Sequence, residues 1–168
     1  MALGYKNYRV FLEKLCRGIE VAFGEGVLLS LALFGSVARR EAKPESDLDL
    51  LAIHKPVDFD PIKRFVDVLL GLRKEKEYQR LLNKGIYPEP IVIFMTPEEL
   101  SQEPLILLDI MDHGIILLDR EGFLQDKIRK LREKLKDLGA KKISFNDGSW
   151  AWDLKPDWKP GELIEIVL

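Results

Sequence analysis

The sequence predicts a small α/β domain in which a mixed sheet is flanked by helices. Its 168 residues are enough for one domain with a short appendage, and an apolar content of 46% suffices for one ordinary core. Short apolar runs alternate with segments whose apolar residues recur every three to four positions. This alternation predicts the order helix, strand, strand, helix, strand, helix, strand, helix, followed by a tail.

The first half of the chain begins with a predicted amphipathic helix. Its apolar residues follow helical spacing at Tyr8, Leu12, Leu15, Ile19 and Phe23. A largely apolar run at 27–34 is bounded by glycines, which is typical of a strand covered on both faces. A charged loop separates it from a second predicted strand at 47–53.

The second half continues the alternation. Asp60-Pro61 has the form of an N-cap and first turn, and it opens a helix predicted to end near Gly85. The residues predicted on the inner face of this helix are Ile62, Phe65, Val66, Leu69 and Leu70. The later elements are a strand at 91–94, a helix opened by a capping box at 96–99, a short helix at 105–111, a strand at 115–118 and an amphipathic helix at 124–138. The predicted domain is therefore 1–140.

Residues 141–168 form a tail that contains all three tryptophans, Trp150, Trp152 and Trp158. Aromatic residues at this density either cover the core of the domain or dock a partner. The last residues, 163–168, are predicted to add an edge strand.

The composition excludes several classes of protein. The 26 basic residues nearly balance the 28 acidic ones, which argues against a general nucleic-acid binder. The longest apolar run is far shorter than the roughly 20 residues that span a bilayer. A single cysteine, Cys16, rules out an intramolecular disulfide and suits a reducing compartment, and its place in a helical apolar pattern indicates packing. We therefore expect a cytoplasmic protein.

The residues that suggest chemistry lie around the first two strands. Gly35-Ser36 follows a buried strand and opens a helical turn, where backbone N–H groups and a hydroxyl can receive phosphate oxygens. Asp47 and Asp49 alternate with leucines, so both carboxylates leave the same face of the second strand. Two such carboxylates can share divalent cations, and Mg²⁺ prefers few protein carboxylates together with substrate phosphates.

These residues resemble a known signature. Gly35-Ser36, ten residues and then Asp47-x-Asp49 are similar to the motif of the DNA polymerase beta-like nucleotidyltransferase superfamily. The wider strings, with Ala38-Arg39 after the first pair and Ser46 before the second, look like its minimal nucleotidyltransferase branch in bacteria and archaea. The family often has glycine after that arginine, whereas this chain has Arg40.

The resemblance implies the polymerase beta-like fold and a nucleotide site. Gly35 and Ser36 would hold the phosphates of ATP, Arg39 and Ser46 would lie at the nucleotide, and Asp47 and Asp49 would bind two Mg²⁺ ions. The family has a third carboxylate on the neighbouring strand, and the only acid at that strand here is Glu89, at its entrance. Glu89 is therefore predicted as the third metal ligand and catalytic residue; the alternative is a loop glutamate.

The implied activity is Mg²⁺-dependent transfer of a nucleoside monophosphate, with AMP from ATP as the expected case, and release of pyrophosphate. Small members of the family are commonly paired with a HEPN-type toxin that several of them adenylylate, so the resemblance implies an antitoxin acting on a protein rather than on nucleic acid or a membrane. Two alternatives stay open. In the first, the chain is a binding module that neutralises a toxin by occlusion. In the second, it is a nucleotidyltransferase that modifies a small molecule.

Overall fold

The computed structural model describes residues 2–102, 104–146, 149–166 and 168. Within these ranges the chain forms seven α-helices, a four-stranded sheet and a two-stranded hairpin, with short 3₁₀ turns at Pro104–Ile106 and Arg120–Gly122. None of the described helices is long and apolar enough to cross a bilayer. The elements in chain order are α1 (Tyr5–Phe23), β1 (Leu28–Phe34), α2 (Gly35–Ala38), β2 (Leu48–His54), α3 (Pro61–Leu72), α4 (Lys76–Leu82), β3 (Pro90–Met95), α5 (Pro97–Gln102), α6 (Leu107–His113), β4 (Ile115–Asp119), α7 (Phe123–Asp137), β5 (Lys141–Ser144) and β6 (Trp150–Asp153).

The main sheet is mixed, as predicted. Its strand order is β3-β2-β1-β4; β1 runs antiparallel to both of its neighbours, whereas β2 and β3 are parallel. Alternate residues of β2 enter two separate cores: Leu48 and Leu50 face one side, while Leu51 and Ile53 face the other. All four are fully buried, so the central strands are covered on both faces.

Helices cover both faces of this sheet. The first core contains buried residues of α1, α3 and α4. The second contains buried residues of α5, α6 and α7. The prediction of an α/β domain with a small mixed sheet flanked by helices is therefore confirmed.

The helix predicted after Asp60 differs from the structure in extent and orientation. It is divided into α3 and α4, and the predicted inner positions Ile62, Val66 and Leu70 are 63%, 42% and 50% exposed. Phe65 and Leu69 face the first core as predicted. Val68 and Leu72 complete this stripe, which has the spacing i, i+3, i+4 and i+7. The apolar residues of this helix occupy more than one stripe, so periodicity alone did not identify the buried one.

The close packing of α3 on α1 explains which stripe is buried. A Cβ atom added at Gly18 of α1 would lie 2.6 Å from a methyl carbon of Val68. Glycine at that position lets α3 approach α1 through Val68, and this contact fixes the rotation of α3 about its axis.

Two local predictions are confirmed in detail. The hydroxyl of Thr96 accepts a hydrogen bond from the backbone N–H of Glu99 at 3.3 Å, and the Glu99 carboxylate accepts one from the N–H of Thr96 at 2.7 Å. This reciprocal capping box opens α5. Cys16 is buried in the first core, and burial raises the pKa of its thiol to about 11, which agrees with a packing role.

The C-terminal segment contains an element that the sequence did not predict. β5 and β6 form an antiparallel hairpin, and Lys142 lies over the ring of Trp150, with 4.1 Å from its ammonium nitrogen to the ring centroid. Trp152, Leu154, Ile166 and Leu168 pack against the second core. The prediction of an edge strand at 163–168 is wrong for the described residues of that stretch, which form no strand. Ile166 and Leu168 contact the domain through their side chains, and Leu163 is 88% exposed.

Candidate active site

The pairing of β1 with β2 brings the two halves of the sequence motif together. Phe34, the last residue of β1, lies opposite Asp49 in the antiparallel register, and Gly35-Ser36 follow directly. Asp47 immediately precedes β2. The carboxyl end of one strand and the amino end of its antiparallel neighbour meet at the same edge of the sheet. The glycine-serine pair and the aspartates predicted from the sequence therefore lie beside each other.

Gly35 makes the closest approach in the site. Its φ is +69°, in the left-handed region, and a Cβ atom added there would lie 2.1 Å from the Oδ2 atom of Asp49. Only glycine combines this backbone conformation with the room that the carboxylate needs. The backbone at Gly35 therefore packs directly against the carboxylate of Asp49, a candidate metal ligand.

The helical turn after Gly35 is short. α2 has four residues, of which Gly35, Val37 and Ala38 are buried, and the N–H of Glu41 donates to the carbonyl of Ser36 at 2.9 Å. At the start of a longer helix, the helix dipole adds to the attraction of backbone N–H groups for phosphate. A helix of four residues aligns few peptide dipoles, so anion affinity at this site depends on individual donors instead.

Arg40, the residue that departs from the motif described above, has a left-handed backbone with φ of 62°. An L-residue pays roughly 1–2 kcal/mol for this conformation. We expect Arg40→Gly to raise the free energy of unfolding by about 0.5–1 kcal/mol, part of the relief being offset by the greater freedom of glycine in the unfolded chain. Chemical denaturation measures this change. Arg40→Ala keeps the strain and serves as the control; an Arg40→Gly protein no more stable than wild type would contradict the explanation.

A residue that the sequence did not single out completes the site. Asp109 of α6 accepts a hydrogen bond from the backbone N–H of Gly35 at 3.1 Å. Its two carboxylate oxygens also lie 3.2 and 3.1 Å from the Nη1 atom of Arg39, whose Nε donates to Glu41 at 3.0 Å. One signal for Asp109 was present: an acid among Leu107, Leu108, Ile110 and Met111 is costly to bury without a partner.

The carboxylate of Asp49 is electrostatically unfavourable in the metal-free protein. Partial burial is the largest cause that raises its pKa, and the charge of Asp47 adds to the rise. The guanidinium of Arg39 lowers this pKa, whereas Asp109 raises it. A cation at this position would relieve both the desolvation and the repulsion, which is the arrangement expected of a metal-binding carboxylate.

This raised pKa gives a pH-dependent prediction for stability. The folded state binds the Asp49 proton more tightly than the unfolded state does. The ionised carboxylate therefore lowers stability at any pH above the pKa of Asp49 in the folded protein. This cost disappears at a pH below the pKa of Asp49 in the unfolded chain. Without metal at pH 7, we expect Asp49→Asn to be more stable than wild type by about 0.5 kcal/mol, since partial exposure screens the charge. The difference should fade as the pH falls, as thermal denaturation would show. Asp67→Asn, an exposed acid, is the control, and a variant less stable than wild type would refute the prediction.

Glu89 lies at the entrance of β3, but its side chain is engaged elsewhere. Its Oε2 atom is 2.6 Å from the Nη2 atom of Arg73, and its Oε1 atom accepts a hydrogen bond from the hydroxyl of Tyr78 at 3.1 Å. Arg73 caps the end of α3 and Tyr78 belongs to α4 and the first core. The structure therefore places the Glu89 carboxylate at the α3–α4 junction. The side chain beside Asp49 in the parallel register is Ile91, which is 50% exposed.

The role of Glu89 as a third metal ligand remains a prediction. That role requires its carboxylate to break its contacts with Arg73 and Tyr78. The contacts seen favour the alternative, in which Glu89 has a structural role only. For that alternative we expect Glu89→Gln to change the transfer rate less than about threefold and to lower stability by no more than about 1 kcal/mol, since the Arg73 pair is about half exposed. Tyr78→Phe, which removes one of the same contacts, is the matched control. A rate loss of about 10²-fold with unchanged stability would instead establish Glu89 as the catalytic third carboxylate.

Ser46 organises the loop that precedes the aspartates. Its hydroxyl accepts a hydrogen bond from the backbone N–H of Lys43 at 2.9 Å, and its own N–H donates to the carbonyl of Lys43 at 3.1 Å. These bonds close a turn directly before Asp47. Ser46 thus supports the position of the carboxylate pair.

The donor set fits a magnesium ion that takes further ligands from its substrate. Asp47 and Asp49 supply hard oxygen ligands, and the unfavourable charge of Asp49 is the observation that calls for a cation. In the described parts of the chain, no group of three or more acidic, histidine or cysteine residues could hold a metal. Mg²⁺ usually binds through one or two carboxylates plus waters and phosphate oxygens, so two carboxylates are sufficient.

A glycine-centred turn beside paired carboxylates at a sheet edge is the arrangement of a nucleotidyltransferase domain. Residues 16–117 match the nucleotidyltransferase domain family, which is more than half of the chain. The chain therefore belongs to this family, and the prediction that it is a nucleotidyltransferase is confirmed.

One curated protein and two solved structures are similar to this chain. The chain is 28% identical over 155 residues to a Methanocaldococcus jannaschii protein provisionally named a protein adenylyltransferase, covering 91% of this chain and 94% of that protein. A mutant of the MntA–HpeT toxin–antitoxin has a TM-score of 0.46 at 16% identity, covering 77% of this chain and 87% of that chain. A toxin–antitoxin with AMP-PNP has a TM-score of 0.45 at 16% identity, covering 75% and 88%.

Proposed function

We propose that this nucleotidyltransferase transfers AMP from ATP to a protein partner in a Mg²⁺-dependent reaction. The observation that carries the proposal is the packing of the Gly35 backbone against Asp49. Gly35 has a φ of +69°, and a Cβ atom added there would lie 2.1 Å from the Asp49 carboxylate, so only glycine lets the phosphate donors and the metal ligands lie together. A site that bound only phosphate, or only a metal, would not require the Gly35 backbone to lie against Asp49.

The proposed roles follow from the positions of the side chains. The N–H of Gly35, the hydroxyl of Ser36 and the guanidinium of Arg39 would bind phosphate oxygens of the nucleotide, because these groups donate hydrogen bonds to anions. Asp47 and Asp49 would hold Mg²⁺, which when bound supplies charge neutralisation for an in-line phosphoryl displacement. In that displacement the oxygen of an acceptor hydroxyl would bond to the α-phosphorus while the bond from the α-phosphorus to the β-phosphate oxygen breaks. Pyrophosphate would leave, and the hydroxyl proton would pass to solvent.

A protein acceptor is supported by sequence similarity along most of the chain. The M. jannaschii relative, provisionally a protein adenylyltransferase, aligns with 91% of the residues. The resemblance to the minimal nucleotidyltransferase branch further favours a HEPN-type toxin as the acceptor, with this chain as its antitoxin. We place the reaction in the cytoplasm, where Mg²⁺ and ATP are abundant.

A second candidate function is neutralisation of a toxin by occlusion. Two observations favour it: Ile91, rather than an acid, lies beside Asp49 on the neighbouring strand, and Glu89 is held by Arg73 and Tyr78. In this case the chain would bind its partner without modifying it, and the C-terminal segment with Trp158, which is 48% exposed, would be a candidate contact surface.

The experiment that separates the two functions is label transfer. The full chain and a co-expressed HEPN-type partner are incubated with Mg²⁺ and ATP labelled in the α-phosphate. The proposal predicts label on the partner, release of pyrophosphate in equal amount, and loss of both with a chelator. Protection of cells from the toxin with no label on it, even at high enzyme concentration, would refute the transfer reaction and favour occlusion.

A further inference from the structure

Asp109 occupies donors that the nucleotide is expected to need. Its carboxylate accepts from the backbone N–H of Gly35 and pairs with Nη1 of Arg39, all at 3.1–3.2 Å. The sequence motif contains Gly35 and Arg39 but not Asp109, which comes from α6, about 70 residues further along the chain. The contact is therefore specific to the tertiary structure.

The chemistry of this contact matches that of a bound phosphate. A backbone N–H and a guanidinium directed at one point favour an anion with several oxygen atoms, and both a carboxylate and a phosphate meet that requirement. The two anions compete for these donors, because their charges repel and the Gly35 N–H has a single hydrogen to donate.

The surroundings allow Asp109 to move without moving its helix. Leu107 and Ile110, on either side of it in α6, are 0% and 3% exposed and belong to the second core, so the helix is fixed. The side chains of Asp109 and Arg39 are 24% and 25% exposed, respectively. A rotation of the side chain towards solvent would free both donors.

We propose that Asp109 is a functional residue of the nucleotide site: in the free protein its carboxylate occupies the Gly35 and Arg39 donors, and the phosphates of the nucleotide displace it on binding. The inference rests on the proposed function, since it takes these donors to be phosphate ligands. Asp109 thereby satisfies the Gly35 and Arg39 donors in the free protein and weakens nucleotide binding by competing for them.

The opposite role makes a different prediction. If Asp109 instead served to orient Arg39 towards the nucleotide, removing its charge would leave the guanidinium mobile and would weaken binding. Competition predicts the reverse, because Asp109→Asn releases Arg39 and removes a negative charge from beside the phosphates.

The test is the dissociation constant of Mg²⁺–AMP-PNP, measured by calorimetry on the full chain at low ionic strength. We expect Asp109→Asn and Asp109→Ala to bind about three- to tenfold more tightly than wild type, the range expected for removal of a partly exposed charged competitor. Asp112→Asn is the matched control. It lies one turn further along the same helix, its side chain is 19% exposed, and it pairs with Lys142 of the hairpin at 2.7 Å. It should bind like wild type.

Each other outcome is decisive. Equal or weaker binding by both Asp109 variants, with wild-type binding intact, would overturn the inference and leave the proposed function standing. An equal gain in Asp112→Asn would show a general charge effect and also overturn it. If neither wild type nor the variants bind Mg²⁺–AMP-PNP at millimolar concentration, the proposed nucleotide site itself fails and the inference fails with it.

Discussion

Replacing both Asp47 and Asp49 by asparagine is expected to lower the rate of nucleotide transfer by at least about 10³-fold, which corresponds to roughly 4 kcal/mol of transition-state stabilisation. Asparagine keeps the size of each side chain but removes the charge that binds the cation. The loss should appear in initial rates of pyrophosphate release at saturating ATP and Mg²⁺. The double variant should remain folded, because no ionised carboxylate at Asp49 has to be desolvated in it.

The matched control changes the same charges elsewhere. Asp67 and Asp137 are exposed acids on α3 and α7, and their double replacement by asparagine should leave transfer unchanged. If the Asp47/Asp49 double variant retained more than about a tenth of the wild-type rate, the carboxylate pair could not be the metal site, since loss of metal-assisted catalysis costs several kcal/mol.

Gly35→Ala is expected to have the second largest effect, through geometry. The substitution places a methyl group in a left-handed conformation, at a cost of roughly 1–2 kcal/mol. It also forces the Asp49 carboxylate away from a contact of 2.1 Å. We expect a destabilisation of about 1–3 kcal/mol together with a rate loss of about 10²-fold, because a displacement of about 1 Å at a reacting centre can cost that much.

Gly139→Ala separates these two effects. Gly139 has a similar φ of +68°, but a Cβ atom added there would meet nothing within 4 Å. Its alanine variant should show the backbone cost in denaturation and retain full transfer activity. If Gly35→Ala lost stability to the same extent as Gly139→Ala and remained fully active, the close approach to Asp49 would have no functional role.

Much of the fold was predictable because its elements have strong local signals. The buried strands β1 and β2 appear as apolar runs, and α1, α5 and α7 have clear periodicity or caps. The orientation of α3 was not predictable, since its apolar residues form two possible stripes and the choice depends on contact between Val68 and Gly18. The β5–β6 hairpin was missed because its strands have four residues each, too few to show a period.

The candidate site, like the fold, was predictable from the sequence only in part. Gly35-Ser36 and Asp47-x-Asp49 are adjacent in sequence to the strands that join them, so a motif and its pairing register were enough. Asp109 comes from a distant helix, and only the tertiary structure brings it to Gly35. Glu89 was chosen because it is the acid at the entrance of the third strand, but its place in the sequence does not reveal that Arg73 and Tyr78 bind its carboxylate.

The most direct test of the active site is a crystal structure of the full chain with Mg²⁺ and AMP-PNP. We predict Mg²⁺ at about 2.1 Å from carboxylate oxygens of Asp47 and Asp49. We also predict a phosphate oxygen within about 3.1 Å of the Gly35 nitrogen, in hydrogen-bond range. A nucleotide bound elsewhere, or bound at Gly35 with no metal at the two aspartates, would contradict the assignment of this site as the catalytic centre.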